Sequence, residues 1–284
     1  MEESQTRPLW RDQEIVIVPG RTEQQYLRDI WNFRELLIFL SWRDILVRYK
    51  QTTFGVCWAF LRPFITMITF TFVFGRLAKM QAPDDLPYPV LVLIGTVVWQ
   101  LLSTALTLAS QSLTTNASMI TKIYFPRIII PLSAMASPLV DFFINLVFLS
   151  TVMVYYRVVP SWNIVFLPFF FLLAILTAIG IGLWLGALTV RYRDFREVIP
   201  FLVQFGLFLS PVGYLSNVLP DKSRMLYSLN PVVGVIDGFR WCFLGQKVGF
   251  FPAGFLISTT VTFLVLAIGI RYFRNVERTF ADVI

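Results

Sequence analysis

Uncharged apolar runs separated by short polar breaks fill most of this chain, and their lengths predict helices that cross a bilayer. Such a crossing takes about 20 predominantly apolar residues. The runs that meet this need are Phe54 to Phe74, Tyr88 to about Ala109, Ile128 to Tyr156, the later part of Val158 to Val190, a run opening at Val198, and Val248 to Ile270. Six transmembrane helices follow. Arg62-Pro63 flaws the first of them, and Ser210-Pro211 disturbs the fifth near its far end. Ser110 to Ser118, though uncharged, is rich in Ser, Thr and Asn and leads out of the membrane rather than across it.

The polar breaks differ in kind. Trp31 to Lys50 interleaves aromatic and aliphatic residues with Arg34, Arg43, Arg48 and Lys50, the pattern of an amphipathic helix lying in the membrane interface. The segment before it, with a turn at Pro19-Gly20, reads as a polar tail without a cleavable signal. Between the fifth and sixth spans, residues 212–249 are moderately apolar but broken by Pro220, Asn230-Pro231 and several glycines. That predicts short re-entrant helices, a backbone tolerated at membrane depth only where it packs on protein or lines a cavity. The predicted organisation is a tail at 1–30, an interfacial helix at 31–53, a six-span domain at 54–271 and a tail at 272–284.

Composition agrees with a membrane protein. With 56% hydrophobic residues, 14% charged and a mean hydropathy of +0.68, too few charges are present to cover a water-soluble surface of this length. The competing reading, a soluble helical protein with a very large core, fails on the length of the uncharged runs. The net charge of +7 raises nucleic acid as a partner. Placing the N-terminus inside assigns seventeen Lys and Arg to cytoplasmic segments and seven to outer ones, so the positive-inside rule accounts for the excess with both termini cytoplasmic and no nucleic acid.

Chemistry is limited by what is missing. The sequence has no His, no Cys pair at metal spacing, no Gly-rich phosphate loop with Lys-Ser/Thr, and no close carboxylate pair within a span. Cys57 and Cys242 fall near opposite faces, which predicts no disulfide between them. Transport or a structural role is left. Two charges stand at membrane depth, Arg62 and Asp141, each costing about 2.5–3.5 kcal/mol near the bilayer centre. They pair, face a hydrated path, or, for Arg62, snorkel to the surface. Along ideal helices Arg62 rises about 12 Å from Phe54 and Asp141 about 20 Å from Ile128, so pairing needs a tilt.

Several ordered pieces then carry a family resemblance. They are Arg43-Asp44 with Arg48-Tyr49-Lys50, Gly55, Trp58 and Pro63; Lys122-Ile123-Tyr124-Phe125-Pro126-Arg127; Arg191-Tyr192-Arg193-Asp194; and Ser210-Pro211-Val212-Gly213-Tyr214, Pro220, Leu229-Asn230-Pro231 and Arg240. The chain resembles, over roughly Leu36 to Val276, the transmembrane subunits of type 2 ABC exporters for polysaccharides, the permeases of O-antigen, capsule and teichoic acid. The resemblance implies a multi-pass subunit of the bacterial inner membrane that works as a homodimer with two copies of a cytoplasmic ATPase. ATP and Mg would sit on that partner, leaving no cofactor and no enzyme activity in this chain. The implied cargo is a lipid-linked polysaccharide, O-antigen first; capsule, teichoic acid or a small molecule remain open. A passive channel, an ion-coupled transporter or a membrane scaffold are readings outside the exporter class.

On that resemblance, 116–127 is a coupling loop to the ATPase, with Met119, Ile120, Tyr124 and Phe125 as anchors and Lys122 and Arg127 as charges. The bland reading is a turn with a positive-inside pair. Arg191, Arg193 and Asp194 are a second ATPase contact or a stop signal for span four. Phe201, Gln204, Phe205 and Phe208 share one face of span five and either line the channel, where aromatic rings stack on sugars, or pack. Residues 212–249 become an outer gate, with Pro211, Tyr214, Pro220, Asn230, Pro231 and Arg240, or a structural cap.

Overall fold

The computed structural model describes residues 23–50, 55–80, 83, 86–277 and 280, and every regular element among them is helical. The helices are α1 (Glu23–Asn32), α2 (Arg34–Lys50), α3 (Gly55–Phe70), α4 (Tyr88–Thr115), α5 (Ala117–Lys122), α6 (Ile129–Ala134), α7 (Ala136–Tyr155), α8 (Leu167–Arg191), α9 (Phe195–Leu209), α10 (Asp221–Tyr227), α11 (Pro231–Leu244) and α12 (Pro252–Glu277). Five helical stretches are long and apolar enough to cross a membrane: Cys57–Leu77, Tyr88–Thr115, Ile129–Tyr155, Trp162–Arg191 and Pro252–Glu277. The run expected from Val198 forms α9, whose 15 residues reach about 22 Å, less than the hydrocarbon thickness. The chain is therefore a multi-pass helical membrane protein.

Prolines mark where the helices depart from the simplest expectation. Helix α3 continues through Pro63 and ends in a π-helical turn, Thr71–Leu77. Pro138 has no N–H to offer the Ala134 carbonyl, and the third span breaks at Met135 into α6 and α7. Pro220 precedes α10, and Pro231 opens α11, where Asn230 Oδ1 accepts the Val232 N–H at 3.1 Å as an N-cap.

Helix α4 is the centre of the bundle. In its most apolar window 67% of residues are buried, against 22% for the first and last spans. It packs on α3, α6, α7, α8, α9 and α11. Lipid tails are as apolar as leucine, so helices in a membrane associate through close packing rather than through water exclusion. Helix α8 achieves this with glycines on two sides. Gly182 and Gly186 meet Ala109 and Ser110 of α4, and Gly180 meets α12, where a Cβ on Gly269 would stand 2.2 Å from the Gly180 carbonyl oxygen. Thr177 and Thr262 join their hydroxyls at 3.1 Å across the same crossing.

A second apolar cluster closes the end of the bundle that carries the 116–127 segment. Leu40 of α2, Leu113 of α4, Ile120 of α5, Phe125, the Ile128–Ile130 run, Val190 of α8, and Phe273, Val276 and Phe280 are buried together there. Two boundaries thus differ from expectation. The final span stays helical to Glu277, because Phe273 and Val276 are buried in this cluster, and the predicted tail at 1–30 is helical from Glu23.

Replacing Gly269 by Val drives two methyl groups into the Gly180 carbonyl and forces α8 and α12 apart. Thermal unfolding of the purified variant is expected to show a stability loss of about 1–3 kcal/mol, whereas Gly249→Ala, with open space beside it, tests only backbone strain at a φ of +66°.

Candidate functional site

A polar cavity of about 500 Å³ opens between α2, α3, α4, α7 and α9, and it is walled by Arg48, Arg62, Asp141, Trp58 and a polar face of α4. Gln100, Ser103, Thr104 and Thr107 form that face at i, i+3, i+4 and i+7. Ser103 and Thr107 donate to the Gln100 and Ser103 carbonyls, while the Gln100 Oε1 is buried with no partner among the described residues. The sequence signal of this stripe is its helical period within an uncharged span, weaker than a charge would give.

Asp141 is buried, and its partners come from α2. Arg48 Nη2 forms an ion pair with Oδ2, and the Tyr49 hydroxyl donates to Oδ1 at 2.5 Å. Burial, and next the bond to Asp141, push the Tyr49 phenol well above its usual range, so it stays a donor. Of the readings open to the two charges, an Asp141–Arg62 pair is not formed, and both line the cavity. Helix α2 packs on α6 and α7 and delivers Arg48 first, leaving Arg62 as a separate part of the cavity wall. The Arg62 guanidinium is exposed and has no ion-pair or hydrogen-bond partner among the described residues.

The 116–127 segment is a short helix, α5, and an extended return. Its anchors divide. Ile120 and Phe125 are buried in the second cluster, Met119 is half-buried, and the exposed run is Thr121-Lys122-Ile123-Tyr124. Arg127 is engaged within the chain: its N–H donates to Glu277 Oε1 at 2.9 Å, its guanidinium donates to the Glu277 carbonyl, and it lies 5.9 Å from the Phe280 ring. Asn116, at the start of the segment, accepts from Arg43 Nη2 of α2 at 3.0 Å. Arg191, Arg193 and Asp194, between α8 and α9, are all exposed.

Helix α9 turns Phe201, Gln204, Phe205 and Phe208 outward. The Phe201 and Phe205 rings stand 4.2 Å apart, and Phe208 reaches Phe70 of α3 at 6.1 Å. Helix α3 leaves Trp58, Phe64 and Ile65 exposed in the same way, and the π-helical turn that ends it leaves Phe72 exposed.

Residues 212–249 are no loose flap. Helix α11 is among the most buried elements and packs on α4, α8 and α12. Its Arg240 is 0% exposed and donates to the Val212 and Tyr214 carbonyls at 2.8 Å each, with the Leu91 carbonyl of α4 at 3.4 Å. Burial lowers the guanidinium pKa to about 10 and Asp237 opposes that, so the charge persists at neutral pH. Gly95 of α4 makes room for it, since a Cβ there would stand 2.9 Å from Arg240 Nη2 and from the Val212 carbonyl. Around it, Arg224 donates to Ser216, Ser216 donates to Asp237, and Tyr214 and Tyr227 share a 2.7 Å bond. Pro211 is buried beside this network, Pro220 is exposed at the head of α10, and Asn230 also donates to Leu209 O and Ser210 Oγ at the end of α9.

A multi-pass bundle with a charged cavity between its spans and exposed segments at the helix turns has the makings of a transport subunit. The family comparison agrees: residues 35–244 match the ABC-2 type transporter model, and the chain belongs to that family. It is similar to the O-antigen export system permease protein RfbA of Myxococcus xanthus, 24% identical over 224 residues, covering 78% of this chain and 85% of that protein. A permease of the same name from Klebsiella pneumoniae is 24% identical over 254 residues, covering 88% of this chain and 95% of that protein.

Arg240→Ala removes the donor shared by three carbonyls. Thermal unfolding in detergent is expected to register a loss of about 2–4 kcal/mol, and Arg240→Lys recovers only part of it because one ammonium cannot reproduce the planar fork.

Proposed function

We propose that this chain is the permease subunit of an ATP-driven exporter that carries a lipid-linked polysaccharide, O-antigen, across a bacterial inner membrane. The observation that carries the reading is the match to the O-antigen permeases over 88% of the chain, nearly their whole length. Within it, α9 and the turn after it supply a sixth crossing, α2 lies in the interface, and α10 and α11 form a re-entrant outer gate. Both termini are cytoplasmic, supported by the excess of Lys and Arg on the loops of that side.

Two copies of the chain work with two copies of a cytoplasmic ATPase, which holds the ATP and Mg. The aromatic faces of α3 and α9 support the pairing, since spans left uncovered inside one chain are available to a second copy and to the channel. Phe201, Phe205 and Phe208, with Gln204 beside them, give an exported glycan successive stacking faces and no tight site. The ATPase meets the exposed Thr121-Lys122-Ile123-Tyr124 run, with the exposed Arg191, Arg193 and Asp194 as a second contact. Phe125 and Arg127 fix the shape of the first contact from inside, and Tyr124 and Lys122 present the anchor and the charge.

In an export assay, Lys122→Glu combined with Tyr124→Ala is expected to lower surface polysaccharide about tenfold or more, the effect of losing one interfacial hot spot. Membrane levels of the permease should not change, and ATP hydrolysis should uncouple from export. Wild-type export by this variant would return the loop to an ordinary turn. Changing Phe201, Phe205 and Phe208 together to Leu should slow export while the permease still copurifies with its ATPase; an unchanged export rate removes these rings from the channel wall.

A further inference from the structure

A second polar cavity, of about 310 Å³, lies at the end of the bundle away from the 116–127 segment, where α4 begins, α7 ends and α11 runs into the 3-10 turn Gly245–Val248. No residue of α3 or α9 lines it, so it is separate from the cavity around Arg62 and from the outward aromatic faces. Its polar side chains are Tyr156, Arg157 and Lys247, the rest of the wall is apolar, and no carboxylate is among the lining residues. Two like charges in one cavity repel. Neither the Arg157 guanidinium nor the Lys247 ammonium has an ion-pair or hydrogen-bond partner among the described residues.

The backbone sets where both charges stand. Arg157 closes α7 with a φ of 56°; its N–H donates to the Val154 carbonyl at 3.1 Å and the Val158 N–H to the Met153 carbonyl at 2.9 Å. Glycine is the ordinary residue at the left-handed position of this helix ending, because a Cβ there is strained. The backbone gains nothing from arginine, so the reason for it lies in the side chain. A cation at the C-terminus of α7 suits the helix dipole, which accounts for one charge and not for a second in the same cavity. Lys247 lies in a turn bounded by two left-handed glycines, Gly245 and Gly249. The two turns are tied together: the Ser161 N–H donates to the Phe243 carbonyl at 2.9 Å, and a Cβ on Gly245 would stand 2.8 Å from Ser161 Oγ.

The same loop shows what surrounds the cavity. Tyr155, Val159 and Trp162 are 80%, 85% and 92% exposed on the outside of the bundle. Aromatic residues at the ends of spans mark the level of the lipid head groups, and basic residues at that level attract anionic ones. We propose that this cavity binds a phosphate-bearing anion, the head group of an anionic phospholipid of the surrounding bilayer, with Arg157 and Lys247 as its ligands. Arg157 offers paired donors in a planar fork and Lys247 a compact charge. The exposed apolar side chains of the 154–165 segment then lie beside the acyl chains. The ligand is a lipid of the bilayer and not the cargo, so the site stands apart from the export reading. Asp84 and Asp85, which directly precede Leu86 in the sequence, are the chain's own competing anions.

The test uses the full-length permease in a non-ionic detergent and measures equilibrium binding of dioctanoyl phosphatidylglycerol, dioctanoyl phosphatidylcholine and inorganic phosphate. Phosphatidylglycerol is expected to bind in a saturable, salt-sensitive manner and phosphatidylcholine weakly. Arg157→Gly removes the charge and suits the left-handed backbone, so it should weaken phosphatidylglycerol about fivefold, the worth of one basic residue near an anionic head group, while thermal unfolding is unchanged or moves upward. Lys247→Gln should weaken it by a similar factor, and the two changes combined by roughly twentyfold or more. Lys222→Gln, which alters an exposed cation of α10 outside the cavity, should have no effect. If inorganic phosphate displaces the lipid at a similar concentration, the anion site stands and its source is the solution; if it does not, the source is the head group. Phosphatidylcholine binding as tight as that of phosphatidylglycerol, or unchanged binding by the combined variant, overturns the site. Phosphatidylglycerol binding that arises only after Asp84→Asn and Asp85→Asn also overturns it, because the chain's own carboxylates then hold the two cations.

Discussion

A carboxylate at membrane depth must be paired, and pairing Asp141 determines where α2 lies. The α2 helix carries exposed Trp42, Phe39 and Ile38 on one side, and on the other Leu40 is buried against the bundle. Apolar contact alone would let such a helix slide or rotate on the surface. The double engagement of Asp141 by Arg48 and Tyr49, adjacent residues in the last turn of α2, removes that freedom, because charge-assisted bonds have direction where apolar contact does not. With α2 fixed, Arg43 arrives at Asn116 and the start of the α5 segment is fixed as well. The same contact leaves Arg62 to the cavity. The charges in this part of the molecule are thus one arrangement with three consequences.

The 212–249 region solves the same problem differently. Arg240 has no carboxylate ion-paired to it among the described residues; it takes backbone carbonyls from the 212–214 turn and from α4, groups that a buried irregular backbone has to satisfy. One side chain therefore compensates the cost of a non-helical turn and its own desolvation together. The turn is tied to the core of the bundle through this residue and to α4 again through the Tyr88 hydroxyl, which donates to the Gly213 carbonyl. The turn is thus held by directed polar bonds and not by apolar contact alone.

Much of this was legible in the residues, and the failures have physical causes. The positions of five spans followed from the length of the apolar runs, whereas the run from Val198 gave only the 15-residue α9, and the helix boundaries at Pro220 and Pro231 followed from the missing proline N–H. The partners of Asp141 are not legible from helical rise, which relates positions along spans, because Arg48 and Tyr49 come from α2, a helix outside the spans. The anchors of the 116–127 segment were read as one set because Ile120, Tyr124 and Phe125 are chemically alike. Which of them face inward is decided by the turn that α5 makes onto Val276 and Phe280, a contact about 150 residues away in sequence that no local pattern records. The α4 stripe was readable, at i, i+3, i+4 and i+7, but hydroxyl and amide side chains in an apolar run draw less notice than charges.

The two basic residues of the 116–127 segment show how burial sorts equivalent sequence signals into different tasks. Lys122 and Arg127 are both basic residues of one short segment between two spans, and the sequence alone does not distinguish them. Arg127 lies where the segment re-enters the bundle, and there its guanidinium and N–H take up Glu277 while its face covers Phe280. Lys122 lies on the exposed run of the segment, away from the buried Ile120 and Phe125. A force applied at Lys122 and Tyr124 meets a segment held at both ends, at Asn116 by α2 and at Arg127 by α12. Displacement of such a segment moves both helices, whereas a loop free at either end would bend and transmit nothing. The α2 end leads through Arg43 and Arg48 to Asp141 and the cavity, and the α12 end leads to the glycine crossing with α8. Continuity of contact is the physical requirement for coupling and not its demonstration, but it confines the coupling to elements that the polar contacts already join.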